Sequence, residues 1–140
     1  MKKILIIGYG SIGKKHALLI NKYFPKFEIY LLTSQIEKKY KNIKSLNEII
    51  EIDPDFIILS SETHKHYKQL AFIEDNFSNK KILIEKPLFD KKYYLKIKKN
   101  KVFVAFNLRF HPLILFLKQS LNNEKIISVN IRCLSNLPKW

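Results

Sequence analysis

The residues with the clearest chemistry to offer are glycines. The chain of 140 residues contains three, and all three fall in Gly8-Tyr9-Gly10-Ser11-Ile12-Gly13. A Gly-x-Gly-x-x-Gly loop between a buried strand and a helix suits the pyrophosphate of a dinucleotide. Gly8 allows the tight turn, Gly10 lets the backbone approach the phosphates, and Gly13 lets the helix pack close to the strand. The free N–H groups and dipole at the helix start, beside Ser11 and Ile12, favour the anion. Gly8 to Lys14 also satisfies the opening of a nucleoside-triphosphate loop, but that loop needs a Ser or Thr next to hold a metal ion, and Lys15 stands there. The dinucleotide pattern further expects an acidic residue about 20 positions on, to bind the ribose hydroxyls. Thr33-Ser34-Gln35 occupy that place, with Lys38 and Lys39 beyond. Hydroxyls and lysines without a carboxylate lean toward NADP, with NAD as the alternative. Glu28 lies too early in its strand to serve.

These residues need a scaffold, and hydrophobic periodicity supplies one. Lys3 to Ile7 is an apolar run that meets Gly8, which reads as a central parallel strand buried on both faces. A helix over 11–23 follows, with Pro25 just beyond its end. Strands are expected over 27–32, 56–59, 81–84 and 102–106. Helices are expected over 45–51, with Ser45 and Glu48 as a capping box, and over 63–75, 90–99 and 113–121. A sixth strand of different character is expected over 126–134. Strands alternating with helices imply an α/β Rossmann fold with a mostly parallel sheet. In such sheets ligands sit outside the carboxyl ends of the strands, where Gly8, Ser60, Glu85 and Asn107 all lie. Lys86 would then point its ammonium toward a nicotinamide and substrate, where it suits a developing alkoxide.

Four segments in order resemble one family, that of glucose–fructose oxidoreductase and inositol dehydrogenase (Gfo/Idh/MocA). They are Gly8-x-Gly10-x-x-Gly13-x-x-His16-Ala17, Ser61-Glu62-Thr63-His64-Lys65-His66, Glu85-Lys86-Pro87, and Asn107-Leu108-Arg109-Phe110-His111-Pro112. The resemblance implies an NAD(P)-dependent oxidoreductase that moves a hydride to or from a sugar or polyol. It implies that Lys86 orients the substrate hydroxyl and assists proton movement, and that Glu85 fixes its loop and borders the nicotinamide. It extends the cofactor set to Ser61, His66, Asn107 and Arg109. Glu62 departs from the family pattern, which has proline there. Family members also carry a second α+β domain that supplies a catalytic histidine, and no histidine follows His111. The expected division is therefore a Rossmann domain over 1–112 and the truncated start of a substrate and dimerisation domain over 113–140. A non-catalytic dinucleotide-binding protein is the alternative.

Composition narrows the partners. The formal charge is +14, with 26 Lys and Arg against 12 Asp and Glu. The lysines are spread along the chain among Ile and Asn, with no aromatic-basic ladder, so no nucleic-acid partner is expected. No apolar run approaches the ~18 residues of a membrane span. The single cysteine, Cys133, excludes an internal disulfide and fits the cytoplasm. A homo-oligomer is the expected assembly.

Overall fold

A computed structural model describes residues 1–132, which form two compact units, Met1–Phe106 and the chain from Asn107 onward. The expected strand segment 126–134 lies partly outside the described residues, and Cys133 lies outside them.

The first unit is built on six strands: β1 (Lys3–Ile7), β2 (Glu28–Leu32), β3 (Lys41–Ile43), β4 (Phe56–Leu59), β5 (Lys81–Ile84) and β6 (Lys101–Val104). They pair in parallel in the order β3-β2-β1-β4-β5-β6. The strand order reverses direction between β1 and β4, and it is at such a switch point that open α/β sheets hold their ligands. Alternation along β1 divides the core. Leu5 and Ile7 join Ile57, Leu59, Ile82 and Ile84 against α2 (Glu48–Ile52) and α3 (Thr63–Asn76). Ile4 and Ile6 join Ile29, Leu31 and Ile58 against Ala17 and Ile20 of α1 (Ser11–Tyr23). The four apolar side chains of β1, Ile4 to Ile7, are all buried, as a strand covered on both faces requires.

Several details differ from expectation. The segment 90–99 is not a helix. Its burial alternates, with Tyr93, Leu95 and Ile97 half-buried between exposed neighbours, which is the period of extended chain. Glu74 on α3 holds its end, accepting from Lys98 N and Lys99 N at 2.7 Å each and from Asn100 Nδ2 at 2.8 Å. The helix expected from Ser45 begins at Glu48, with Asn47 as N-cap. Glu48 still reaches back to Ser45 N at 2.9 Å, so half of the capping box forms. β3 was not anticipated at all, because three residues are too few to show a period.

In the second unit a 3-10 turn (Asn107–Phe110) precedes α4 (Pro112–Ser120), whose N-cap His111 accepts from Leu113 N at 3.2 Å through its side chain. Residues 126–132 are in no strand. Among the described residues of this unit the stretch has no strand to pair with, and Ile127 and Ile131 are 94% and 84% exposed.

Candidate functional site

The carboxyl edge of the sheet is tied together residue by residue. Gly8 N donates to Leu32 O (3.0 Å), Ser60 N to Ile7 O (2.8 Å), Glu85 N to Leu59 O (2.8 Å) and Ala105 N to Ile84 O (2.9 Å). Each strand's first outward residue is therefore held level with its neighbour's. The Ser60 hydroxyl donates to Gly8 O at 2.8 Å and fastens the glycine loop to the end of β4.

The three glycines differ in what requires them. Gly8 has φ +93°, and a Cβ there would lie 2.5 Å from the Ser61 backbone. A Cβ on Gly13 would lie 2.1 Å from Gly8 O, so this glycine lets α1 pack onto the loop. Gly10 is different. It is the N-cap of α1 in extended backbone (φ −73°, ψ −166°), and a Cβ there meets nothing within 4 Å. The fold tolerates a side chain at position 10, so the open space beside this backbone is free for a bound group, as a pyrophosphate would need.

That space belongs to a cavity of about 610 Å³. Gly8, Tyr9, Gly10, Ser11 and Ile12 of the glycine loop, Ser60 and Ser61 after β4, and Thr33 and Ser34 after β2 all line it. Nine of the residues expected at a cofactor site are thus brought together. Gln35, Lys44, Glu62 and Lys65 also line it. Gly13, His66, Glu85 and Lys86 do not.

The buried His66 ring braces the neighbouring loops, with Nε2 3.1 Å from Ser61 O and Nδ1 3.1 Å from Leu88 O. It links the loop after β4 to the segment after Lys86 and Pro87, whose peptide bond is cis. Glu85 is held by His16 of α1, Nε2 to Oε1 at 2.7 Å. The helix that begins at the glycine loop is therefore joined directly to the residue before Lys86, which is exposed at the end of β5. His16 is in the sequence pattern, but its partner lies 69 positions away and periodicity cannot supply it. Asn107 and Arg109 lie in the 3-10 turn of the second unit.

The carboxylates near the cleft are engaged. Glu62 pairs with Lys65 at 2.9 Å. Glu37, the first acid after β2, turns to the buried Tyr9, whose hydroxyl donates to Oε2 at 3.4 Å. Burial, and then the Glu37 charge, hold the Tyr9 phenol above its ordinary range. Among the described residues no cluster of His, Cys, Asp or Glu is suited to a metal ion, and no helix is long and apolar enough to cross a membrane.

Comparison with known proteins agrees with this geometry. Residues 2–97 match the model of a family described as an oxidoreductase family with an NAD-binding Rossmann fold, Gfo/Idh/MocA. No curated protein matches. Among solved structures, scyllo-inositol dehydrogenase from Lactobacillus casei, with bound NAD(H) and scyllo-inositol, is 19% identical with a TM-score of 0.69. The match covers 87% of this chain and 41% of that one. The WlbA dehydrogenase from Thermus thermophilus, in complex with NAD and UDP-GlcNAcA, is 20% identical with a TM-score of 0.70, over 89% of this chain and 48% of that one. The WlbA dehydrogenase from Bordetella pertussis, in complex with NADH and UDP-GlcNAcA, is 15% identical with a TM-score of 0.70, over 87% and 42%. The chain thus spans less than half the length of these structures.

Proposed function

Because the chain belongs to the Gfo/Idh/MocA oxidoreductase family, with its NAD-binding Rossmann fold, we propose that it is the cofactor-binding part of a dehydrogenase acting on a sugar or polyol. The observation that carries this reading is Gly10: a position open to a Cβ, at a helix start, lining a cavity together with other expected residues. Backbone N–H groups around Ser11 and Ile12 would hold the pyrophosphate, and Thr33 and Ser34 would meet the adenosine ribose. When bound, the nicotinamide supplies a two-electron hydride carrier. Lys86 would orient the substrate hydroxyl and balance a developing alkoxide, with Glu85 set in place by His16. NADP should bind at least as well as NAD, because no free carboxylate stands at the end of β2 to repel a 2′-phosphate. The sugar or polyol class rests on the ligands of the structural relatives. Self-association into a homo-oligomer is part of the same proposal.

The test is calorimetric titration of the wild type and Gly10→Ala with NAD and NADP, oxidised and reduced. The variant should keep its fold, since nothing crowds the new methyl, and lose affinity at least tenfold, about 1.4 kcal/mol. A folded variant with unchanged affinity overturns the assignment.

A further inference from the structure

The end of the cleft beyond β2 is lined by a cation, Lys44. Leu32 at the end of β2 pairs with Ile43 at the end of β3. Thr33 and Lys44 are therefore the next residues outward on adjacent parallel strands, about 5 Å apart at the backbone, and both line the cavity. Three carboxylates are found around the cavity, and each has a partner other than the Lys44 ammonium. Glu37 is turned to Tyr9, and its loop is pinned by Asn42 Nδ2, which donates to Glu37 O at 2.6 Å. Glu48 is turned to the start of α2, where Oε1 accepts from Lys44 N, Ser45 N and the Ser45 hydroxyl at 2.9–3.1 Å. Glu62 is held by Lys65. Among the described residues no carboxylate pairs with the Lys44 ammonium. Lys38 and Lys39 line no part of the cavity. A cation that lines the cavity beside two hydroxyls, its charge felt by Glu48 but in ion-pair contact with no carboxylate among the described residues, is an environment for a dianionic phosphate.

We propose that Lys44 is the specificity-determining residue of this cleft, reading the 2′-phosphate of a phosphorylated dinucleotide beside Thr33 and Ser34. The inference rests on the dinucleotide reading above and adds to it a residue and a choice of cofactor. Calorimetric titration of NADP and NAD into the wild type, Lys44→Met, Lys44→Arg and Lys38→Met separates the two. Lys44→Met should weaken NADP about tenfold and leave NAD within twofold. Lys44→Arg should retain most NADP affinity, and Lys38→Met, which removes the same net charge, should change neither. Circular dichroism checks that each variant is folded. Equal losses for both nucleotides, or no loss for either, overturn the role of Lys44 while the dinucleotide site stands. A wild type that binds neither nucleotide overturns the dinucleotide reading, and this one with it.

Discussion

At the scale of one side chain, Glu74 shows how a buried charge can organise a loop. Burial pushes its carboxyl up, and the N–H groups of Lys98 and Lys99 with the Asn100 amide more than reverse this, so it sits below its ordinary value of 4.5. A carboxylate whose folded value is depressed stabilises the fold fully above its unfolded value, and that contribution is lost as pH falls through the folded value. Glu74→Ala leaves three donors without their acceptor and should cost about 3 kcal/mol in urea unfolding at neutral pH. Glu74→Gln should cost less and should flatten the loss of stability below about pH 4.5. An unchanged acid limb in the Gln variant would show that other carboxylates govern it.

At the scale of an element, α1 carries two duties through residues on one helix. Its first turn borders the cleft through Ser11 and Ile12, and its second holds Glu85 through His16. Gly13 sets its distance from the loop. Gly13→Ala would place a methyl 2.1 Å from Gly8 O, a backbone atom that cannot swing aside. The helix must shift, and the change should cost about 2–3 kcal/mol, against less than about 0.5 kcal/mol for Gly10→Ala. Thermal unfolding of the two variants side by side checks this. Equal losses would mean that the loop, not helix packing, sets the requirement at position 13.

At the scale of the whole molecule, a strong positive charge meets a large exposed apolar surface. In the second unit Leu108, Phe110, Leu113 and Phe116 are all more than half exposed, and so are Ile127 and Ile131. Burying such surface against another copy would contribute ~25 cal/mol per Å². The charge of +14 opposes that approach at long range, and salt screens it beyond about 8 Å at 0.15 M. Self-association should therefore rise with ionic strength. Sedimentation at low and moderate salt decides it, and a strict monomer at both would remove this face as an assembly surface.

The sequence by itself determined the glycine loop and five of the six parallel strands. The apolar run Ile4–Ile7 that meets Gly8 reads as a buried strand, and three glycines spent in six residues point to one phosphate-binding turn. These are local signals, carried by residues that lie next to one another in the chain. The tertiary structure decided what depends on partners distant in sequence. It separated Gly10, where a methyl meets nothing, from Gly8 and Gly13, where the backbone forbids one. It showed 90–99 to be extended chain, its end held by Glu74 from 24 and 25 positions away in sequence. It also set Lys44 beside Thr33, through a three-residue strand whose only evidence is the neighbour it pairs with. A hydrogen-bonded register can be that short and still fix a side chain, whereas a hydrophobic period cannot be read from so few residues.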